Sequence, residues 1–121
     1  MTPPELARLI AATAVLRGSF KLRSGRTSSY YIDKYLFLTE PRILEALGAM
    51  IAARLPPGTQ RLAGAELGGV PLVSSASMAS GLPCVYVRNA RKEYGTARQI
   101  EGRLEPGDPD LCADGQRPQQ G

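Results

Sequence analysis

The sequence contains no histidine and no tryptophan, and only two of its 121 residues are cysteines. Without histidine, a Ser-His-Asp or Cys-His catalytic arrangement is excluded, and a zinc site is disfavoured. The two cysteines, Cys84 and Cys112, are too few for a disulfide framework. Cys84 lies in an apolar run and is interpreted as a small buried hydrophobe. This cysteine usage favours a reducing compartment, so we expect a cytoplasmic protein.

The chain also lacks any run of about 18 apolar residues, which argues against a membrane span. The N-terminal stretch MTPPELARLIAATAVLRG is apolar in part, but acidic Glu5 precedes its apolar residues and no basic region opens it. We interpret it as an amphipathic helix and not as a signal peptide. The length fits one domain. A net charge of +4 favours an anionic ligand without identifying one.

Two amphipathic helices are predicted in the first half of the chain. The first begins at Thr2, because Thr2 and Glu5 have the spacing of a capping box, and Gly18 is its predicted end. The second begins near Pro41 and ends before Pro56, with an apolar stripe between them.

Between these helices, the stretch SFKLRSGRTSSYYID predicts a β-hairpin with its turn at Ser24-Gly25. Arg23 beside the turn can pair with a carboxylate, and the tyrosines that follow can lie against a planar anionic ring. An ordinary hairpin with exposed basic residues and core tyrosines explains the same pattern. From this stretch alone the ordinary hairpin is favoured.

The second half predicts one β-α-β unit. A strand over residues 61–65 leads into the glycine loop (Glu66-Leu67-Gly68-Gly69), a helix follows over 70–80, and the next strand covers 84–87. Such a unit predicts a parallel sheet. Ligands of such sheets bind outside the carboxyl ends of the strands, which is where the glycine loop begins.

A basic loop (residues 88–98) leaves the second of these strands at the same end. It carries Arg88, Arg91, Lys92 and Arg98 around a tyrosine and a glycine. Arginine and lysine bind phosphates strongly, and the N–H groups of a glycine loop can cradle phosphate oxygens. A tight turn without a ligand and a merely solvated basic loop are the simpler alternatives for the two segments.

Three blocks together carry a family resemblance: FKLRSGRTSSYYID, GAELGGVPL and VRNARKEYGTARQIEG. In this order and spacing, from about Leu6 to Asp108, the chain resembles the first half of an orotate phosphoribosyltransferase. The resemblance implies an α/β fold of the type I phosphoribosyltransferase kind, a parallel sheet flanked by helices with a small N-terminal hood. Residues 1–108 would form a partial domain, with the hood over 1–38 and the start of the core over 39–108.

The resemblance also implies an activity. The family joins orotate to 5-phosphoribosyl 1-diphosphate (PRPP) and releases orotidine 5′-monophosphate and pyrophosphate, a step of pyrimidine biosynthesis. The reaction uses Mg²⁺, bound mainly through the diphosphate and not by a protein metal site. The mobile loop of the family reaches the neighbouring subunit, which implies a homodimer. Neither nucleic acid nor membrane is an expected partner.

Functional residues follow from the matching positions. The resemblance gives Lys92 the catalytic role, assisting departure of the diphosphate. Positions expected to contact PRPP or its diphosphate are Arg88, Lys92, Tyr94, Gly68 and Gly69. Positions expected to contact orotate are Arg23, Tyr31 and Ile32. Asn89 and Gly68 each stand where some members of the family have a lysine, which removes charge without excluding activity.

The sequence departs from the family after Asp108. There the family has an apolar strand ending in an acidic pair that binds the ribose hydroxyls, and residues 109–121 of this chain read PDLCADGQRPQQG. This segment contains no such strand or pair, and its composition predicts a disordered, non-homologous tail. We therefore expect a C-terminally truncated or frame-shifted version of the family's enzyme, with a sheet incomplete at its C-terminal end and an exposed strand edge. Low stability and little catalysis by this chain would follow.

Two other functions remain open at this stage. A non-catalytic module of the phosphoribosyltransferase kind, which binds a phosphorylated ligand for regulation, would keep the basic loop without the ribose site. A nucleic-acid binder would use the basic loop and lose affinity steeply with salt, but no continuous basic stripe supports it.

Overall fold

The computed structural model describes residues 1–90, 95 and 99–104, and the backbone of 111–112. The described part of the chain contains four helices and six strands. In chain order they are α1 (Pro3–Ala14), β1 (Val15–Lys21), β2 (Thr27–Ile32), α2 (Lys34–Leu38), α3 (Pro41–Ala53), β3 (Leu62–Ala65), α4 (Gly69–Ser80), β4 (Cys84–Val87), β5 (Ile100–Glu101) and β6 (Leu111–Cys112). The chain divides into two compact units, Met1–Ala46 and Leu47–Gly121.

Helix α1 begins as the capping box predicts. The Thr2 hydroxyl accepts a hydrogen bond from the Glu5 N–H at 3.3 Å, and the Glu5 carboxylate accepts one from the Thr2 N–H at 3.0 Å. The predicted end at Gly18 is wrong, because the helix stops at Ala14 and Val15 opens β1. The helix ends there because Val15 pairs with Ile32, and this strand pairing gives its backbone N–H and C=O groups the hydrogen-bond partners that a longer helix would have given them.

The first unit contains the predicted hairpin, in which β1 and β2 pair antiparallel. Gly18 has a φ of 156° and lies where the register shifts between Arg17 and Phe20. Its role is therefore that of a glycine at a β-bulge, where an extra residue bends the strand. The buried hydrophobic residues of this unit are Leu6, Ala14, Leu38 and Ile43.

Helix α2 is absent from the sequence prediction. It is five residues long, and the Asp33 carboxylate caps it by accepting a hydrogen bond from the Tyr35 N–H at 3.0 Å. A helix this short leaves no apolar periodicity to detect. Helix α3 starts at Pro41 as predicted and ends two residues before Leu55.

The second unit contains a four-stranded sheet in the order β5-β4-β3-β6. Strands β3 and β4 pair in parallel, with Leu62 opposite Cys84 and Ala65 opposite Val87, so the predicted β-α-β unit is confirmed. Strand β5 pairs antiparallel to β4, which makes the sheet mixed and not purely parallel.

Both faces of this sheet are buried at its centre. On one face, Leu62 packs with Val73 and Ala76 of α4, and half-buried Cys84 joins them. On the other face, Ala63 and Val85 pack together, with Val87, Ile100 and Leu104 against them. Leu62 and Ala63 pack on opposite faces because successive side chains of a β-strand alternate between the two faces.

The tail differs from its prediction at one place. Leu111 and Cys112 pair in parallel with Leu62 and Ala63, although the composition of residues 109–121 predicts disorder there. Two residues need no apolar run to pair, because the edge of β3 offers backbone donors and acceptors to any extended segment. The remaining residues of the predicted tail, 109–110 and 113–121, lie outside the described part. Within the described residues, no helix is long and apolar enough to cross a membrane.

Candidate functional site at the carboxyl ends of β3 and β4

The glycine loop and the basic loop leave adjacent strands at the same edge of the sheet. Glu66 follows β3 directly and Arg88 follows β4 directly. The backbone continues the pairing one step past β3, since the Glu66 N–H donates to the Val87 carbonyl oxygen at 2.9 Å. The prediction that both loops start at the carboxyl ends of adjacent parallel strands is thus confirmed.

Gly64 determines how closely α4 approaches β3. A Cβ atom at this position would lie 2.3 Å from the Gly69 carbonyl oxygen and 2.6 Å from Cγ1 of Val73. Real Cβ atoms do not approach other atoms so closely, so only glycine lets the helix begin directly above the strand. The first turn of α4 is therefore held against the end of β3.

The glycine loop consists of two exposed residues with side chains followed by two buried glycines. Gly68 and Gly69 are buried, whereas Glu66 and Leu67 are exposed, and the Glu66-Leu67 peptide bond is cis. Gly68 is the residue before α4, and no side chain caps the helix there. The N-terminus of a helix carries partial positive charge and N–H groups without helical partners. In α4 the Val70 N–H already donates to the Leu67 carbonyl oxygen at 3.1 Å, and Pro71 has no N–H. An anion at this end would therefore be bound by the N–H groups of Gly68 and Gly69.

Arg88, the first residue of the basic loop, is held by hydrogen bonds to Gln99 and Glu101. Its N–H donates to the Gln99 carbonyl oxygen at 2.7 Å, and the Gln99 side-chain amide donates to the Arg88 carbonyl oxygen at 3.4 Å. The Arg88 guanidinium donates to the Glu101 carboxylate at 3.4 Å, with 35% of the arginine side chain exposed. The same arginine is thus held by β5 and accessible to solvent.

Two sequence-predicted site residues, Lys92 and Tyr94, lie outside the described residues, as do Arg91 and Arg98. Their predicted roles at the diphosphate stay predictions. Gly95 is described, has a φ of 64° and is exposed. A glycine with this φ adopts the left-handed conformation that other residues rarely take.

In the first unit, the residues predicted for orotate occupy opposite ends of the hairpin. Arg23 lies in the turn, which the Leu22 N–H closes by donating to the Arg26 carbonyl oxygen at 2.8 Å. Tyr31 and Ile32 lie at the other end of β2, both about half exposed. The four residue steps from Thr27 to Tyr31 alone span roughly 13 Å. The backbones of Arg23 and Tyr31 are thus well separated in this hairpin, and the orotate roles predicted for Arg23, Tyr31 and Ile32 stay predictions.

Tyr31 has an aromatic neighbour across the hairpin. Its ring centroid lies 5.7 Å from that of Phe20, with 30° between the ring planes. This contact is within the usual range for aromatic pairs and limits the orientations of the tyrosine ring. Tyr31 is therefore an exposed aromatic surface held by a neighbour, which suits stacking against a flat ring.

Three residues of the site were missed by the sequence reasoning: Gly64, Glu66 and Glu101. Gly64 had a detectable signal, since a glycine inside a short apolar strand marks a close approach of another backbone. Glu66 also had a detectable signal, because a negatively charged side chain is unexpected next to a predicted anion site. Glu101 has no local signal, as its partner Arg88 is thirteen residues away.

The described residues contain no group of three or more histidine, cysteine, aspartate or glutamate side chains that could hold a metal ion. The two carboxylates near the loops, Glu66 and Glu101, already accept hydrogen bonds from the Asn89 N–H and from Arg88. Neither has the arrangement of a resident metal site, which needs several oxygen ligands around one cation.

Comparison with known proteins gives consistent names. No protein-family model matches the chain. A curated protein of Methanocella arvoryzae named orotate phosphoribosyltransferase is 48% identical over 105 residues, which is 86% of this chain and 60% of that protein. A protein of Halobacterium salinarum with the same name is 49% identical over 107 residues, which is 88% of this chain and 61% of that protein.

A solved structure agrees with these sequence matches. The orotate phosphoribosyltransferase of Mycobacterium tuberculosis in complex with PRPP superposes with a TM-score of 0.66 at 27% identity, covering 89% of this chain and 60% of that one. The chain thus spans about 60% of the length of the relatives that it matches. Over that length the resemblance read from the three sequence blocks is confirmed, as is the type I phosphoribosyltransferase fold.

Proposed function

We propose that this chain, a homologue of the orotate phosphoribosyltransferases, binds the diphosphate group of PRPP at the carboxyl ends of β3 and β4. One observation carries the proposal: the uncapped N-terminus of α4 and the partly exposed Arg88 follow adjacent strands at the same sheet edge. Helix N-termini favour anions, and a guanidinium can bond two phosphate oxygens at once. The related structure from Mycobacterium tuberculosis was solved with PRPP.

The proposed reaction is that of the homologues. The bond between the anomeric carbon of PRPP and its diphosphate breaks, a bond from that carbon to a ring nitrogen of orotate forms, and the proton of that N–H is released to solvent, giving orotidine 5′-monophosphate and pyrophosphate. Negative charge grows on the leaving diphosphate while positive charge grows on the ribose. Groups fixed near the diphosphate stabilise this charge separation, and removing one such donor typically costs roughly 3–4 kcal/mol in a transition state. The absence of histidine is no obstacle, because the protein supplies no nucleophile.

Residue roles divide between the two loops. We assign Gly68 and Gly69 to diphosphate contact through backbone N–H groups and Arg88 through its guanidinium. Lys92 is assigned the catalytic role, as a cation on the departing diphosphate, and Tyr94 a contact in the same loop. The last two assignments rest on the sequence resemblance.

Mg²⁺ belongs to this proposal as a companion of the substrate. When bound to the diphosphate it would neutralise part of the leaving-group charge. The donors near the loops fit that role and not a resident site, because Glu66 and Glu101 are engaged with Asn89 and Arg88. We therefore assign no protein ligand to the metal.

For the nucleobase, we assign Tyr31 and Ile32 to the orotate ring. Support comes from the exposure of both side chains and from the Phe20 contact that limits the tyrosine ring. Arg23 is assigned to the orotate carboxylate, an assignment that rests on the sequence resemblance. We further propose a homodimer in the cytoplasm.

A second candidate is a non-catalytic ligand-binding module. One observation favours it: the sequence after Asp108 does not match the acidic pair with which the family holds the ribose, whereas the diphosphate loops do match. This module would bind PRPP or pyrophosphate without turnover. The two candidates share the diphosphate site and differ in catalysis alone.

The first test is isothermal titration of the purified 121-residue chain with PRPP and Mg²⁺, followed by a titration with orotate on the loaded protein. We expect micromolar PRPP binding. Ribose 5-phosphate is the matched control ligand, since it lacks the diphosphate and should bind more weakly. A sample that is folded by circular dichroism but gives no heat with PRPP would contradict the proposal.

A further inference from the structure

We propose that Glu66 is a positioning residue that ties the glycine loop to the first residues of the basic loop. Its importance for ligand binding rests on the proposed function, since the ligand concerned is the diphosphate. The link itself is a property of the fold and can be measured without any ligand.

Glu66 contacts both the last residue of β4 and the segment that follows it, although 23 residues separate it from Asn89. Its backbone N–H donates to the Val87 carbonyl oxygen at 2.9 Å, and its carboxylate Oε1 accepts a hydrogen bond from the Asn89 N–H. The first contact extends the strand pairing and would form with any residue at position 66 except proline. The second depends on this side chain.

A carboxylate at this place needs a reason, because it lies within the loop whose neighbours are proposed to bind an anion. Like charges placed close together oppose binding, so charge alone would favour a neutral residue here. The Asn89 contact provides the reason. Asn89 is exposed, so water would also satisfy its N–H, and Glu66 instead supplies an acceptor fixed to the opposite loop.

The contact also means that the start of the basic loop is hydrogen-bonded to residues on both sides of β4. On the side of β5, Gln99 and Glu101 hold Arg88. On the side of β3, Glu66 holds Asn89, the next residue along the chain. The backbone at Arg88, the proposed diphosphate ligand, is thus held by Gln99 on one side and, through the next residue, by Glu66 on the other. Fixing the backbone on both sides reduces the conformational freedom that a ligand would otherwise have to remove.

Two substitutions separate the hydrogen bond from the charge. Glu66→Ala removes both, whereas Glu66→Gln removes the charge and keeps an acceptor oxygen at the same reach. If Glu66 positions the loops, Glu66→Ala weakens binding of inorganic pyrophosphate with Mg²⁺ roughly three- to tenfold, the range that one lost hydrogen bond gives. Glu66→Gln binds at least as well as the unsubstituted chain.

The control is Glu45→Gln, which removes the same charge from an exposed position on α3. It should leave pyrophosphate affinity within twofold. Thermal unfolding of all variants checks that lost affinity does not reflect lost folding. Equal affinity of Glu66→Ala and the unsubstituted chain overturns the inference. So does a gain of affinity that is the same in Glu66→Ala and Glu66→Gln, because that result assigns Glu66 a purely electrostatic effect.

A ligand-free measurement keeps this inference separate from the proposed function. Hydrogen exchange of the Asn89 amide, followed by NMR, should accelerate in Glu66→Ala and remain slow in Glu66→Gln. Unchanged exchange in Glu66→Ala overturns the link. If the unsubstituted chain binds no pyrophosphate, the proposed function fails and the ligand role of Glu66 fails with it. The exchange data then still decide whether the link exists.

Discussion

At the scale of single residues, Arg88 has two competing acceptors. Its guanidinium pairs with the Glu101 carboxylate at 3.4 Å while about a third of its side chain is exposed. Ion pairs with this exposure contribute about 0–1 kcal/mol. A diphosphate with Mg²⁺ offers several oxygens and can engage a guanidinium through two parallel hydrogen bonds. The pair with Glu101 therefore orients Arg88 at little cost to ligand binding.

Replacing Arg88 by alanine tests this reading. We expect Arg88→Ala to weaken pyrophosphate binding about ten- to a hundredfold, because a hydrogen bond to a charged group is worth about 1.5–3 kcal/mol. Isothermal titration at fixed salt measures the change. Arg103→Ala is the matched control, since Arg103 is also basic and exposed in the same unit. Similar losses in the two variants would show that general positive charge, and not Arg88 itself, holds the ligand.

At the scale of elements, the site depends on how β3 and α4 meet. The helix begins four residues after the strand ends, and the absence of a side chain at Gly64 allows its first turn to contact the strand. A similar close approach occurs between α3 and α4, where a Cβ at Gly48 would lie 2.0 Å from the Ser75 hydroxyl oxygen. Two glycines thus fix α4 from two directions.

Gly64→Ala should disturb this arrangement more than the usual glycine substitution. The added methyl overlaps the Gly69 carbonyl and Val73, and we expect the free energy of unfolding to fall by about 1–3 kcal/mol, as for an overpacked core. Pyrophosphate affinity should fall with it, because the start of α4 must shift. Denaturant unfolding and titration provide the two measurements.

Gly58→Ala is the control for Gly64→Ala. Gly58 has a φ of 84° and open space around its Cβ position. It should lose about 1 kcal/mol through backbone strain and keep its pyrophosphate affinity. Equal affinity in the Gly64 and Gly58 variants would mean that the position of α4 does not matter to the ligand.

Elements with repeated local signals could be predicted from the sequence. The capping box of α1, the Pro41 start of α3 and the β-α-β pattern each depend on neighbouring residues, and the structure contains all three. The end of α1 was mispredicted because pairing with Ile32 overrides the preference of the local sequence. The Glu66 and Arg88 contacts join residues far apart in the chain, so no local pattern announces them.

At the scale of the whole molecule, the chain resembles the family up to about Asp108 and departs from it in the tail, residues 109–121. The chain spans about 60% of the curated relatives, and the two described residues after Asp108, Leu111 and Cys112, pair with the sheet. In the sequence, the tail has no acidic pair in the frame that the family uses for ribose. The chain therefore keeps the residues proposed to bind the diphosphate but lacks the residues with which the family holds the ribose for the reaction.

We predict that the 121-residue chain binds PRPP but forms orotidine 5′-monophosphate at a rate far below that of a full-length homologue. Positioning of the ribose contributes a large part of the rate in such two-substrate reactions, and the matching residues for it are absent from 109–121. A spectrophotometric assay of orotate consumption, with the Methanocella arvoryzae relative as the positive control, measures this. Turnover comparable to that relative would show that other residues hold the ribose.

The antiparallel pairing of β4 with β5 has a consequence for engineering. Val87 and Ile100 face each other in the ladder, so the segment between them enters and leaves the sheet at neighbouring points. Its ends are joined by the strands whatever its length, and doubling a flexible loop costs only about 0.6 kcal/mol in closure entropy. Residues can thus be inserted between Arg88 and Gln99 while β3, β4 and α4 stay unchanged, provided that Asn89, Lys92 and Tyr94 are kept.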